Sequence, residues 1–120
     1  GALKSLFFFL FLSFSPPLFS QYIESNKAKI KILDKITTKV ETFEIKVNDS
    51  INFNTLVIEI FACYRNPPED IPENYVLLRI YDKIINSEDK AIYQGWMISS
   101  SPSTTPLEHP IYDLWLVECK

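Results

Sequence analysis

Glycine is nearly missing from this chain. The 120 residues include two, and one is the first residue, so Gly95 stands alone in the body of the sequence. A phosphate-cradling loop needs several glycines so that backbone N–H groups can close around the anion, which sets nucleotide enzymes of that kind aside. Histidine is scarcer still, with His109 the only one. One histidine, two cysteines and scattered carboxylates offer no metal-ligand spacing. The acidic run Glu69-Asp70-Ile71-Pro72-Glu73 is too proline-bound to wrap calcium. No metal and no cofactor is expected. Surplus positive charge is absent too: 12 Lys and Arg stand against 15 Asp and Glu, a net charge of −3. Phosphate backbones demand a basic surface, so nucleic acid is not expected as a partner. Beyond residue 20 there is also no stretch of ten residues with the helical period.

Residues 1–20 read as an address. Lys4 supplies a positive n-region, Leu6 to Phe14 an apolar h-region, and Pro16 and Pro17 then break any helix. Leu18-Phe19-Ser20 offers a small residue at a cleavage point. The apolar run falls short of the roughly 20 residues that cross a bilayer. A lipid anchor would need a cysteine just after it, and none is there. The expectation is a signal peptide and a periplasmic protein that touches the membrane only through this leader, before cleavage. An uncleaved signal anchor is the alternative. Residues 21–26 are polar and read as a flexible linker, and 27–120 as a single domain with one core.

Cys63 and Cys119 gain meaning from export, because two cysteines in an oxidising compartment pair more often than not. Their bridge would close a loop of about 57 residues and tie down the C-terminus. Two buried free thiols are the alternative. A nucleophilic cysteine would want a base beside it, and His109 is the one imidazole available.

The rest of the chain alternates. Ile30 and Ile32 between lysines, and Phe43, Ile45 and Val47 between charged residues, have the period of two of half-buried strands. Asp34 to Thr38 and Asn48-Asp49-Ser50 are turns. Thr55 to Cys63 is nearly all apolar and β-branched, as in a central strand covered on both faces. Three prolines between Asn66 and Asn74 make that segment a loop. Tyr75 to Ile84, Ile92 to Ile98 and Ile111 to Cys119 are further strands, with a turn at Asn86 to Asp89 and a Ser/Thr/Pro loop from Ser99 to Pro110. Gly95, inside a strand, signals a bulge or a close backbone approach. The expected fold is all-β: an antiparallel sandwich or small barrel of six to seven strands.

Candidate chemistry gathers near the C-terminus. His109, flanked by Glu108 and followed by Asp113, could act as a general base for a serine among Ser99, Ser100, Ser101 and Ser103. The competing reading, which carries more weight, has His109 and Asp113 hydrogen-bonding backbone groups to fix the loop ahead of the last strand. Trp96, Tyr112 and Trp115 could form a platform for a sugar or peptide. Aromatics in strand patterns are more often core, and core packing is the expectation for Trp115 and also for Trp96, although Trp96, after a glycine and before the serine-rich loop, is the one of the set that best suits a cleft. The Pro67 to Asn74 loop is pre-extended and would lose little entropy on docking. The lysines at 27, 29, 31, 35, 39 and 46 suit a solubilised sheet edge or an anionic membrane surface.

Four stretches together resemble the exported bacterial proteins, mainly alphaproteobacterial, grouped as domain-of-unknown-function family 2155. They are Leu33-Asp34-Lys35 with Val40 to Phe43; Ala62-Cys63-Tyr64 with Pro67-Pro68 and Pro72-Glu73-Asn74; Gly95-Trp96-Met97 with Ser100 to Pro102; and Leu107-Glu108-His109-Pro110 with Tyr112-Asp113, Trp115 and Cys119. The likeness runs from about residue 27 to the end. Thr38 and Asn54 depart from it, standing where the family's pattern has glycine in the first two turns. The resemblance implies export, a β-rich domain and a Cys63–Cys119 bridge. It carries no activity. The expectation is therefore a non-catalytic module of the envelope that binds or stabilises another protein, such as an inner-membrane one. The alternative is a cell-wall sugar or peptide module, binding or hydrolytic, built on Gly95-Trp96 and Glu108-His109.

Overall fold

The computed structural model describes residues 22–84, 90–100, 107 and 109–120. The turn expected at Asn86 to Asp89, Glu108, Ser101 and Ser103 lie outside the described residues. The described residues form eight strands and no helix: β1 (Ile23–Glu24), β2 (Lys27–Asp34), β3 (Val40–Lys46), β4 (Ser50–Phe53), β5 (Leu56–Arg65), β6 (Asn74–Asp82), β7 (Tyr93–Ile98) and β8 (Tyr112–Cys119). They make two antiparallel sheets, one ordered β1-β5-β6-β7 with β4 also on β5, the other β3-β2-β8. The fold is thus all-β and antiparallel, with two strands more than the lower expectation.

Two of these strands differ from what the sequence suggests. Residues 21–26 contain β1, whose Ile23 and Glu24 pair with Arg65 and Tyr64, so that stretch is anchored rather than a flexible linker where it is described. Asn26 also gives its N–H to the Lys120 carbonyl, at 2.9 Å. β4 is four residues long and half polar, too short for a periodic signal. Its pairing with β5 runs from Ser50↔Glu59 to Phe53↔Leu56.

The core lies between the sheets. Ala28, Ile30 and Ile32 of β2 and Leu114 and Leu116 of β8 meet Leu56, Ile58 and Ile60 of β5 and Val76, Leu78 and Ile80 of β6. Every second residue of each strand contributes, because a strand's side chains alternate between faces. Alternation alone would leave the cysteines on the wrong faces. In β5 the inward set is even-numbered up to Ile60, and in β8 up to Leu116. The register shifts between Ile60 and Ala62 against β6, making Phe61 an extra residue, and Val117 is extra where β8 passes Lys29 and Ile30. Each bulge moves the following residues by one and turns an odd-numbered cysteine inward. Cys63 and Cys119 are bonded to each other with Cα atoms 5.7 Å apart, joining the two sheets.

The turns explain Thr38 and Asn54. Both adopt the left-handed backbone, at φ 61° and 51°, as does Asn48 at 70°. The glycine-type turns are therefore kept without glycine. At the first, the Asp34 side chain accepts the N–H groups of Ile36 (2.9 Å) and Thr37 (3.2 Å), and Thr38 N–H returns to the Asp34 carbonyl at 2.7 Å. These bonds, first Thr37's and then Ile36's, hold the Asp34 carboxyl below its usual range. Gly95 behaves otherwise than expected. The β6–β7 register is unbroken beside it, and a Cβ there would meet nothing within 4 Å. Its φ of +150° is what requires glycine.

Candidate functional site

The register of the larger sheet decides which side chains face away from the core. Tyr64 of β5 pairs with Tyr75 of β6, Leu77 with Trp96 of β7, Glu59 with Arg79 and Val57 with Tyr81. All of these lie on the face opposite to Leu78 and Ile80, and the bulge adds Phe61 to them. A sheet face turned to solvent is ordinarily polar in alternation with its core face. Here it is largely aromatic. Trp96 is 45% exposed, Phe61 40% and Tyr22, just ahead of β1, 50%.

Four of these rings enclose a cleft of about 380 Å³ lined by Tyr22, Tyr64, Tyr75 and Trp96. Tyr22 stands edge-on to Tyr75 with centroids 5.7 Å apart, and Trp96 reaches across β6 to lie tilted against Tyr64 at 6.1 Å. The Tyr93 hydroxyl donates to the Trp96 carbonyl at 2.8 Å and ties down the backbone there. Burial first, then the neighbouring Tyr22 and the charge of Glu73, pushes the Tyr75 phenol up from its ordinary value. Farther along the same face the Arg79 guanidinium lies 5.2 Å from the centroids of both Phe61 and Tyr81 and bonds Glu59 at 3.0 Å.

Beside the cleft, the proline-containing loop is clamped by Glu73. Its carboxylate accepts the Ser99 hydroxyl (2.8 Å), the Ser100 hydroxyl, and the N–H groups of Ser100 (3.0 Å) and Asn74 (3.1 Å). Burial opposes the charge on Glu73, but the bonds from Ser100 and Ser99 outweigh it and the carboxyl falls below its ordinary range. Asn74 in turn accepts the Cys119 N–H on its side-chain oxygen at 2.9 Å, linking the loop to the end of β8.

The histidine is elsewhere. His109 and Asp82 form a pair between the sheets, 2.7 Å apart, each side chain 2% exposed. The N–H groups of Ile111 (3.0 Å) and Tyr112 (3.1 Å) both point at Nδ1, so that nitrogen is the acceptor and Nε2 carries the proton toward Asp82. Asp82 also accepts the Thr55 hydroxyl (3.1 Å) and the Ile84 N–H (2.8 Å). Tyr112 packs against the imidazole at 5.1 Å and against Phe53, and its hydroxyl accepts the Asn54 side chain at 3.0 Å. Asp113 pairs with Lys35 at 3.2 Å, and Lys35 also reaches the His109 carbonyl at 3.0 Å. Sequence reasoning missed Asp82, since no local signal marks the end of a strand as the partner of a residue 27 positions away.

Trp96 and His109 are therefore not one site. Trp96 is opposite Leu77 and the imidazole is bonded to Asp82, five residues farther along β6 and on the other side of the sheet, roughly 17 Å by strand rise. Ser99 and Ser100, bonded at the Asn74 end of β6, are farther still from the imidazole. The core positions expected for Trp96 and Trp115 are also corrected. Trp115 pairs with Lys31, whose neighbours Ile30 and Ile32 face inward, so Trp115 lies half-buried on the outer face of the smaller sheet. Lys29 and Lys31 share that face on β2, the central strand of that sheet and not an edge. Among the described residues no three metal-ligating side chains cluster, and no helix is long and apolar enough to cross a membrane.

The fold and its site define a small two-sheet β domain, bridged by one cystine, with an aromatic cleft on the outer face of its larger sheet. The chain belongs to a bacterial family described as "Uncharacterized protein conserved in bacteria" (DUF2155), whose profile matches residues 28–119. It is 31% identical over 100 residues to an uncharacterized protein of Rickettsia prowazekii (strain Madrid E), across 83% of this chain and 64% of that protein. The chain thus spans a little under two thirds of that relative's length. No solved structure matches it.

Proposed function

We propose that this chain is a non-catalytic protein-binding module of the bacterial envelope, exported to the periplasm, where it docks on or stabilises a partner protein of the envelope or inner membrane. The observation that carries this reading is the outward aromatic face around Trp96, Tyr64, Tyr75 and Phe61. Clustered exposed aromatics are costly in water, and they are the residues that anchor interfaces. The cystine supports an oxidising compartment, as does the leader pattern of residues 1–20. The non-catalytic reading is supported by His109, whose ring lone pair is taken up by two backbone N–H groups between the sheets. A base needs that lone pair within reach of a substrate.

A photo-cross-linking residue placed at position 61, on the same outward face, tests the reading in native envelopes, with position 29 on the opposite sheet as control. A discrete cross-linked protein from position 61 alone is expected. Equal labelling from both positions, or from neither, overturns it.

One observation favours a second reading. A cleft walled by four aromatic rings is also what a sugar ring stacks on. Saturable binding of chitobiose or a muropeptide, lost in Trp96→Ala, would establish a cell-wall ligand in place of a protein.

A further inference from the structure

We propose that the cleft of Tyr22, Tyr64, Tyr75 and Trp96 receives the cationic side chain of an arginine or lysine from the protein that docks on this face. The inference rests on the protein-binding reading above and names the anchor that the partner contributes.

Four aromatic rings meet at the cleft, and the negative face of an aromatic ring attracts a cation, that of Trp most strongly. The rim is anionic. Glu24 pairs across strands with Tyr64 and so shares its outward face, and Glu73 stands directly before β6, two positions from Tyr75. Glu73 is kept in its charged form by the serine and backbone bonds that clamp the loop. No lysine or arginine lines the cleft among the described residues.

The same face holds a finished example of the arrangement. Arg79 lies against Phe61 and Tyr81, 5.2 Å from each ring centroid, and bonds the Glu59 carboxylate at 3.0 Å. Aromatic faces, a carboxylate and a cation are all supplied there by the chain itself. At the cleft the chain supplies the aromatic faces and the carboxylates, so the complementary group is a cation from outside. A neutral apolar side chain would fill the volume but would leave the Glu24 carboxylate without a counter-charge. An anionic partner would be repelled by Glu24 and Glu73.

The test is a fluorescence titration of the Trp115→Phe protein, in which Trp96 is the remaining tryptophan of the domain. The probes are the capped tripeptides Gly-Arg-Gly and Gly-citrulline-Gly, which differ in charge but hardly in shape, together with capped triproline and chitobiose. Saturable binding of the arginine peptide is expected, about tenfold tighter than the citrulline peptide. It should weaken several-fold in Glu24→Gln and, followed by calorimetry because Trp96 is the fluorescent reporter, vanish in Trp96→Ala. Equal binding of the arginine and citrulline peptides overturns the proposal, as does preference for triproline or chitobiose, or no response to any probe. Cross-linking from position 61 to a protein would then still stand, which separates failure of the cation from failure of the docking face.

Discussion

Thr38 is the residue most at odds with its own backbone. A β-branched side chain at φ 61° sits in a region that costs an ordinary residue about 1–2 kcal/mol. It stays there because the Asp34 side chain and the Thr38-to-Asp34 backbone bond close the turn around it. Thr38→Gly is expected to raise the unfolding free energy by about 1 kcal/mol, read as a higher urea midpoint. Asn48→Gly, at a position asparagine already tolerates, should be close to neutral. His109 is the opposite case, a residue whose surroundings are built for it. His109→Ala takes from Asp82 its short bond to the imidazole and leaves two backbone N–H groups, the buried one of Tyr112 and the part-buried one of Ile111, without their acceptor. The expected cost is about 3 kcal/mol by denaturant unfolding. A folded His109→Ala protein of full stability that has lost a biological activity would instead make the imidazole a functional group.

At the scale of elements, two bulges and one bond hold the layers together. The Cys63–Cys119 bridge ties β5 of one sheet to β8 of the other, 56 positions apart in the chain. By the chain-entropy argument, losing it costs on the order of 4 kcal/mol. The Cys63→Ala/Cys119→Ala protein, or the reduced wild type, should unfold at a markedly lower urea concentration. The loop between β5 and β6 is held separately, by Glu73. Its carboxyl titrates below its ordinary value of 4.5, so the ionised clamp contributes stability above that pH and loses it as the pH falls through the lower, folded value. Glu73→Gln should flatten this part of the acid limb of a stability–pH curve and lower stability at pH 7, where the ionised clamp is fully formed, with the difference from wild type vanishing at low pH.

For the whole molecule, the two outer faces differ in kind. The smaller sheet shows lysines, with Lys29 opposite Glu44 and Lys120 bonded to Glu44. The larger sheet shows tyrosine, tryptophan and phenylalanine. An aromatic kept at 45% exposure contributes little to folding, so Trp96→Ala is expected to leave stability within about 1 kcal/mol of wild type, by thermal unfolding. The same substitution should abolish capture of the envelope partner. A loss of stability in proportion to the loss of binding would make Trp96 structural.

Much of this was written locally in the chain. The alternation in β2, β3 and β6 follows from a period of two, and the proline segment from the fixed φ of proline, so the all-β class, most strand positions and the proline loop were legible. The resemblance to an uncharacterised bacterial family was legible in residues such as His109-Pro110 and Tyr112-Asp113, and the family match covers the same span. What the sequence could not decide is which face is which after a bulge. One extra residue in β5 and one in β8 reverse the parity of all that follows, and nothing in the local composition marks Phe61 or Val117 as the extra one. That parity turned the cysteines inward and Tyr64 outward. Register across β6 then brought Trp96 within reach of Tyr64, and the long return of the chain carried His109 to Asp82 rather than to Trp96. Local backbone preference determined the elements. The pairing of strands far apart in sequence decided the site, because only pairing fixes which side chains share a surface.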